Sequence, residues 1–481
     1  MASKSLPWWA IGTSLIAANI SAEQMIGMAG SGFAIGLAIA SYEWMAAITL
    51  ILVAKFMIPI FLEKKIYSMP QFLGMRFDER VRAILAIFWL LVYVFVNLTS
   101  VLYLGALTME SILGFPLMYG IIGLATFSAI YTIYGGLKAV AWTDVVQVAF
   151  LVGGGLITTW YALNAFSGGQ GAIVGFSSLL DRVPDHFNMI LSSDHAFYYE
   201  LPGLSVLLGG LWIANISYWG CNQYIIQRAL AAKSVKEAQN GLLFAGYLKL
   251  LMPLIVVIPG IVAFGFGANL LRPDEAYPWL MGEFVPIGLR GLAFAALIAA
   301  IASSLASMTN STSTIFTMDI FRVHIDKEAS EKKLVFTGRI VSFVALFIAV
   351  LVAPQVENFG QAFQFIQEFT GFVSPGVVAI FLLGLFWKKA TPNAAVWAAI
   401  FTIPSGFILK WLFPTLPFLD RMGIVFIFLV VLMVAISMYE STGEDPKAIA
   451  IKRELFHTST GFNIGSIGVC AILSVLYILF W

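Results

Sequence analysis

The chain has 481 residues, of which 60% are apolar and only 11% charged, with a mean hydropathy of +0.90. Soluble domains are about 45–50% apolar and about 25% charged, so the composition excludes a soluble globular protein and indicates an all-α polytopic membrane protein. The net charge of +1 gives no indication of a nucleic-acid partner, and the two cysteines cannot form a disulfide framework.

Near the N-terminus, Lys4 is followed by an apolar stretch, as in a secretory signal peptide. Asn19 and Glu23 interrupt that stretch, and apolar sequence continues to about position 40. We therefore expect the start of the chain to form the first membrane span rather than a cleaved signal.

Thirteen stretches are long and apolar enough to cross a bilayer, which takes about 20 residues per helix. They lie near 8–33, 35–62, 79–113, 116–135, 138–165, 202–227, 236–266, 287–320, 334–353, 356–388, 393–413, 418–440 and 463–481. Several are longer than a straight span requires, which indicates tilted or interrupted helices. The long connections 166–201 and 267–286 are expected to contain short surface helices.

Basic residues are concentrated in alternate connections between these spans. If the N-terminus is cytoplasmic, most of the 27 lysines and arginines fall in cytoplasmic connections, as the positive-inside rule requires. The sequence thus predicts a multi-pass protein of the inner (plasma) membrane, with a cytoplasmic N-terminus, an external C-terminus and the lipid bilayer around it.

Three ionisable side chains, Glu23, Glu43 and Lys249, lie too deep inside predicted spans to reach the membrane surface. A charge at that depth costs at least about 2.5–3.5 kcal/mol on insertion scales, so it needs an opposite charge or a wet cavity. We expect these side chains to face a cavity, with ion pairs between helices as the alternative. All four histidines lie in connections, so a metal-dependent membrane enzyme has little support, and no enzyme activity is expected.

The string Ala-Asn-Ile-Ser occurs twice, at 18–21 and at 214–217, each time in the middle of a predicted span. Transporters built from inverted repeats interrupt corresponding helices of their two halves and bind substrate and ions at the unwound backbone. We predict that both spans break at these strings. The alternative is that the Asn and Ser side chains only bond to neighbouring helices.

The eighth span contains the small hydroxyl residues Ser303, Ser304 and Ser307. Hard cations take oxygen ligands, and a serine-rich helix packed against the first break can supply them to Na⁺. A packing face of small residues is the alternative.

Short motifs follow one another along the whole chain, at 5–9, 17–24, 40–44, 97–100, 134–137, 142–144, 222–228, 231–234 and 363–368. Together and in this order they resemble the sodium/solute symporter family, in particular its sodium–glucose branch. The resemblance implies a leucine-transporter-type fold, a five-plus-five inverted repeat with additional C-terminal helices. It divides the chain into a first repeat (1–167), an outer connection (168–201), a second repeat (202–388) and three C-terminal helices (389–481). Family members usually carry one more helix before the first repeat.

The resemblance also implies the ligands of sodium and of a sugar. The sodium ligands would be the backbone carbonyls of Ala17, Ile20 and Ala300 and the hydroxyl groups of Ser303 and Ser304, with Asp144 assisting sodium release. The sugar would hydrogen-bond to Gln24, Glu43, Asn215, Lys249 and Gln367. These side chains suit a hexose, whose hydroxyl groups both donate and accept hydrogen bonds.

The resemblance further implies an aromatic inner gate. Tyr218 would stack on the sugar ring and be held by Asn19, because an apolar ring face packs well on an aromatic plane. The remaining cavity residues would be Met28, Tyr42, Trp219 and Phe363.

Four positions depart from the family pattern. Ala46 removes a hydroxyl group near the sugar, Ser217 and Cys221 replace aromatic residues beside the gate, and Ala306 stands where members with a second sodium site have serine. The sequence therefore predicts symport of galactose or glucose with one Na⁺ per sugar and no evident protein partner. A sodium symporter for myo-inositol or sialic acid is the alternative, and a sugar-sensing receptor or a passive channel fits less well.

Overall fold

The computed structural model describes residues 6–66, 68–441 and 443–481, with the side chains at 131 and 133–146 outside the description. Within these residues the protein is helical, and its one strand-like contact is a bridge between Leu6 and Ala232. The principal helices are α1 (Trp8–Asn19), α2 (Met28–Ala34), α3 (Leu37–Glu63), α4 (Met69–Arg76), α5 (Glu79–Leu113), α6 (Leu117–Phe166), α7 (Ala172–Arg182), α8 (Gly210–Ile216), α9 (Gln223–Leu230), α10 (Val235–Gly265), α11 (Ala276–Phe284), α12 (Ile287–Ile325), α13 (Glu331–Phe359), α14 (Ala362–Gly371), α15 (Ser374–Phe386), α16 (Pro392–Leu412), α17 (Phe418–Glu440) and α18 (Thr460–Leu479).

Nine helices among the described residues are long and apolar enough to span a membrane, and α14 with α15, bent by 49°, makes a tenth. These ten coincide with predicted spans. Of the other three predictions, the first and sixth spans are interrupted, and the fourth coincides with the apolar stretch Leu117–Ile130 of α6. Helix α6 covers both the fourth and the fifth predicted spans, and the connection predicted between them, near 136–137, falls among the residues whose side chains are outside the description.

The first predicted break is confirmed. Helix α1 ends at Asn19, Ile20 has an extended backbone, and a π-helical turn begins at Glu23 before α2. The hydroxyl group of Ser21 accepts a hydrogen bond from the backbone N–H of Glu23 at 3.3 Å, which caps the second half.

The second predicted break is wrong in position. Residues 214–217 continue the helix, since the backbone N–H of Ser217 bonds to the carbonyls of Ile213 and Ala214. The chain becomes extended only at Asn222, after a π-helical segment Ser217–Cys221. The Asn222 side chain accepts the N–H of Tyr224 at 3.3 Å and so caps α9, which is why the interruption is stable there.

Close packing of α1 on α10 places the first break beside the middle of α10. A side chain at Gly12 would collide with the backbone of Gly241, and one at Gly241 would collide with Ile11. Helix α10 also packs along α3. The two contacts bring the buried residues Asn19, Glu43 and Lys249 to one level of the bundle.

One end of the bundle is fixed by Arg76, the last residue of α4, which is fully buried. Its guanidinium donates to the backbone carbonyls of Gly384 at 2.8 Å, Ala390 at 2.9 Å and Trp387 at 3.3 Å, and to Asp445 at 3.3 Å. This contact ties α4 to the turn between α15 and α16.

The connection between α10 and α11 contains a short 3-10 turn, Pro273–Glu275, followed by α11. Asp274 packs against Gly30 of α2, and its carboxylate accepts the backbone N–H of Ala362 at 2.9 Å. Both long connections contain short helices as predicted, α11 and, in 166–201, α7. The prediction that these are surface helices is wrong for α11, which is largely buried.

Candidate functional site

A buried hydrogen-bonded centre joins α1, α3 and α10. The Lys249 ammonium donates to Oε2 of Glu43 and to Oδ1 of Asn19. A buried ion pair is tolerated when its remaining polar atoms are also hydrogen-bonded. All the partners here are side chains, so the hydroxyl groups of a ligand can replace them one for one.

An aromatic wall closes one side of this centre. The Lys249 nitrogen lies 5.0 Å from the centroid of the Trp219 ring, within cation–π range. The hydroxyl group of Tyr218 accepts a hydrogen bond from Nδ2 of Asn19 at 3.1 Å, and the rings of Tyr218 and Trp219 pack edge to face. Two predicted sugar ligands, Glu43 and Lys249, therefore meet three predicted gate or cavity residues.

The other predicted sugar ligands are not joined to this centre by a described hydrogen bond. Asn215 donates to the carbonyl of Leu211 in its own helix at 3.1 Å. Gln24 is buried, and its Oε1 has no hydrogen-bond partner among the described residues. Gln367 is half-buried on α14, which packs against the π-helical turn carrying Gln24.

Three predicted cavity residues form a second packed wall. Tyr42 and Phe363 pack edge to face, with ring centroids 5.1 Å apart, and Met28 is fully buried on α2. The Tyr42 hydroxyl group is buried and has no hydrogen-bond partner among the described residues. It is therefore available to a ligand from this side.

A small cavity lies between α1, α9 and α12, next to the first break. Its lining consists of Ala17, Ala18, Tyr224, Arg228, Ser303, Ser304, Ser307 and Met308. It offers about 10 Å³ to the centre of a water-sized sphere, which is room for roughly one water molecule or one small ion. Because α1 ends at Asn19, its last carbonyl groups lack helical partners. Carbonyl and serine oxygens are suitable ligands for a hard cation such as Na⁺.

Three of the five predicted sodium ligands, Ala17, Ser303 and Ser304, line this cavity. Ile20 and Ala300 are buried close by in sequence but are not part of its lining. Asp144, predicted to assist sodium release, lies outside the described side chains.

Nothing in the sequence indicated that Tyr224, Arg228 and Met308 line this cavity, whereas Ser307, which also lines it, belongs to the serine-rich stretch expected to supply oxygens. The hydroxyl groups of Tyr224 and Tyr218 are 2.8 Å apart, and Nε of Arg228 donates to the Ser14 hydroxyl at 3.1 Å. The motif at 222–228 was the available signal. Its meaning depended on the interruption at Asn222, which the sequence placed too early.

Comparison with known proteins identifies the chain's relatives. A model of the sodium:solute symporter family matches residues 1–402. The chain is 54% identical over 499 residues to a sodium/glucose cotransporter of Vibrio parahaemolyticus, covering 100% of this chain and 92% of that protein. It is 34% identical over 441 residues to the sodium/myo-inositol cotransporter 2 of Homo sapiens, covering 85% of this chain but only 64% of the relative.

Solved structures agree with the predicted fold class. A Na⁺-coupled sialic acid symporter superposes with a TM-score of 0.77 at 24% identity, covering 91% of each chain. Mhp1, a nucleobase-cation-symport-1 family transporter, superposes with a TM-score of 0.55 at 14% identity, covering 96% of each chain. At these identities the likeness establishes the fold, which is the predicted leucine-transporter type.

Proposed function

The chain belongs to the sodium:solute symporter family, whose members are sodium-coupled membrane transporters and not enzymes. From this premise we propose that it carries galactose or glucose into the cell with one Na⁺ per sugar. The 54% identity to a sodium/glucose cotransporter supports a sugar as the solute. The repeat boundaries at 167 and 388 and the cytoplasmic N-terminus belong to the same proposal.

The observation that carries the proposal is the centre formed by Glu43, Lys249, Asn19 and Trp219. It combines a carboxylate, an ammonium and an amide with an aromatic face inside an apolar bundle. A hexose has hydroxyl groups around a ring with apolar C–H faces, so it needs both kinds of partner. In the proposed complex, Gln24, Asn215 and Gln367 supply further hydrogen bonds, and Tyr218 stacks on the ring.

Sodium occupies the cavity lined by Ala17, Ser303 and Ser304 in this proposal. Carbonyl and hydroxyl oxygens at that cavity support a single hard cation. Ala306, a residue without a side-chain oxygen, supports the absence of a second ion. The ion holds the interruption of α1 in place, and this favours the conformation that accepts sugar from outside.

Release of sodium to the cytoplasm leads to release of the sugar. When sodium leaves to the cytoplasm, assisted by Asp144, Asn19 is no longer held in position. The hydrogen bond from Asn19 to Tyr218, 3.1 Å long, can then break, which allows the Tyr218 ring to move and the sugar to leave.

Myo-inositol is the second candidate solute, favoured by the 34% identity to sodium/myo-inositol cotransporters. It has a hydroxyl group on every ring carbon and no ring oxygen, so the same centre could bind it. A carboxylated solute such as sialic acid would require a cation that is free to pair with it, whereas Lys249 already pairs with Glu43.

The test is uptake of labelled galactose and of labelled glucose into proteoliposomes, with a sodium or a potassium gradient. We expect accumulation only with sodium, and competition by the unlabelled hexoses at lower concentrations than by myo-inositol. Equal uptake in both gradients would refute sodium coupling. Stronger competition by myo-inositol would refute the hexose assignment.

The number of Na⁺ ions carried per sugar can be measured from the dependence of sugar accumulation on membrane potential. Moving one elementary charge through 100 mV is worth about 2.3 kcal/mol, so one Na⁺ per sugar predicts about a 50-fold change in the limiting accumulation ratio per 100 mV. Two ions predict about the square of that factor. The second result would overturn the one-ion assignment without affecting the choice of sugar.

A further inference from the structure

The hydroxyl groups of Tyr218 and Tyr224 bridge the interruption of the sixth span. Tyr218 lies in the π-helical segment before Asn222, and Tyr224 lies in α9 after it. Their oxygens are 2.8 Å apart, and the two rings are nearly perpendicular. Helical hydrogen bonding is interrupted at the extended residue Asn222, so this hydrogen bond is a side-chain link between Tyr218 and α9.

Tyr224 also belongs to the cation cavity. It is almost completely buried and lines the cavity beside Ser303 and Ser304. Its helix, α9, packs against both α1 and α12, which supply the rest of the lining. The backbone carbonyl of Tyr224 accepts a hydrogen bond from Arg228, whose Nε in turn donates to Ser14 of α1 at 3.1 Å. A change in the separation of α1 and α12 therefore acts directly on the position of Tyr224.

A continuous chain of hydrogen bonds results. Lys249 donates to Oδ1 of Asn19, Nδ2 of Asn19 donates to Tyr218, and Tyr218 shares a hydrogen bond with Tyr224. The chain begins at the buried ion pair, passes the interruption of the first span and ends at the wall of the cation cavity. Its members come from both interrupted spans and from α10, which carries Lys249.

We propose that Tyr224 is a positioning residue that couples the occupancy of the cation cavity to the position of the Tyr218 ring. A cation draws α1 and α12 together and fixes Tyr224, whose hydroxyl group then holds Tyr218 against Asn19. When the cation leaves, α9 shifts, the hydroxyl pair separates and the gate is released. This inference rests on the proposed sodium-coupled transport.

The test is Tyr224→Phe, which removes the hydroxyl group and keeps the ring that packs against Tyr93 and Tyr218. Galactose affinity is measured in purified protein at saturating sodium and in potassium. Couplings between sites are typically about 5–150-fold, and we expect the wild-type ratio to fall by at least about fivefold in the variant. The sugar should change the sodium affinity by the same reduced factor, and sodium leak without sugar should rise.

Tyr277→Phe is the matched control. Tyr277 is also a buried tyrosine, and its hydroxyl group bonds to Thr158 at 3.5 Å, outside the chain. This variant should keep the wild-type coupling ratio. If Tyr224→Phe keeps it as well, the inference is overturned. If the wild type itself shows no sodium effect on sugar affinity, the proposed function fails first.

A double-variant cycle separates the link from a general packing defect. If the two hydroxyl groups act as one link, then Tyr218→Phe, Tyr224→Phe and the double variant should all lose the same fraction of the coupling. Independent, additive losses would contradict a shared link. Each protein's thermal midpoint, measured in the same detergent, shows whether a loss of coupling accompanies a loss of folded protein.

Discussion

Two buried cations of this protein, Lys249 and Arg76, differ in the kind of partner they have. Within the part of the chain that the structure describes, the hydrogen-bond partners of Lys249 are side chains, those of Glu43 and Asn19. Arg76 bonds mainly to backbone carbonyls, those of Gly384, Trp387 and Ala390. Side-chain partners can turn away when a ligand offers equivalent groups, whereas backbone carbonyls at a helix end are fixed by the fold. The first arrangement suits a site that exchanges partners, and the second suits a permanent joint.

Arg76→Ala tests the permanent joint and should have the largest effect. Removing one partner from a buried charged cluster typically costs about 3–5 kcal/mol, because the carbonyls and Asp445 lose their donor. Thermal unfolding in detergent should show a much lower midpoint. Arg80→Ala is the control, since Arg80 is exposed and pairs with Asp78 at the surface, where such pairs contribute about 0–1 kcal/mol. Similar midpoints for both variants would contradict the assignment of Arg76.

Lys249→Gln tests the exchanging site. Sugar uptake should fall by about 100-fold, because a charged hydrogen bond to the substrate contributes roughly 1.5–3 kcal/mol. The substitution also leaves Glu43 buried without its cation, so the thermal midpoint should fall.

Adding Glu43→Gln to this variant should restore the midpoint but not the uptake, since the unpaired charge is gone and the ligand groups are still missing. Adding Asp445→Asn to Arg76→Ala should restore little, because the three carbonyls remain without a donor. If both second substitutions restored stability equally, the two regions would not differ in the way described.

Ser304→Ala extends the comparison to the cation cavity. The proposed ligands there are oxygen atoms that stay in place while the ion binds and leaves. Loss of one oxygen ligand should raise the sodium concentration for half-maximal uptake by about tenfold, equivalent to about 1.4 kcal/mol. Ser313→Ala is the control on the same helix, because Ser313 bonds to the carbonyl of Gly338 away from the cavity. An unchanged sodium dependence in Ser304→Ala would place the ion elsewhere.

Asp274 provides an anionic counterpart on the connection before α11, with one backbone donor, the N–H of Ala362. Burial raises the pKa of Asp274 to about 7, while that N–H and Arg272 act in the opposite direction. The folded state therefore holds a proton that the unfolded state has lost between about pH 4 and pH 7, and stability falls as pH rises through this window.

Asp274→Asn should remove this dependence. Relative to the variant, the wild type should lose about 1 kcal/mol of stability between pH 6 and pH 8, visible as a difference in thermal midpoints. Parallel pH profiles for the two proteins would show that Asp274 is ionised in the folded protein throughout this range.

The sequence predicted most spans and identified Glu43 and Lys249 as buried charges, because lipid imposes strong rules on where charges and apolar residues lie. It favoured a cavity around these two side chains, and the ion pair that they form was the alternative. Glu43 and Lys249 are charged residues within long apolar stretches, and the polar residue Asn19 interrupts another such stretch. The position of the second interruption could not be read from the repeated string, since the cap supplied by Asn222 decides it. Tyr224 belongs to the motif at 222–228, but the sequence did not indicate its hydroxyl contact with Tyr218, because that contact crosses the interruption.

The structural role of Arg76 could not be predicted from the sequence either. In the sequence, Arg76 is one of several basic residues in a predicted cytoplasmic connection, where it supports only the orientation of the chain in the membrane. Its carbonyl partners are more than 300 residues away, at Gly384, Trp387 and Ala390. A local sequence pattern does not show contacts over so long a separation. The packed structure is therefore needed to tell a basic residue that only sets the orientation in the membrane from one that joins distant segments.

The backbone contact between α1 and α10 has a practical consequence for capturing a transient conformer. Gly12 and Gly241 allow the two helices to approach closely, since an added Cβ at Gly12 would lie 2.7 Å from the carbonyl oxygen of Gly241 and one at Gly241 would lie 2.8 Å from Ile11. One methyl group there would act as a wedge against the N-terminal half of α1. Gly241→Ala should therefore disfavour the close packing of α1 on α10 relative to any form of the transporter in which these two helices lie farther apart.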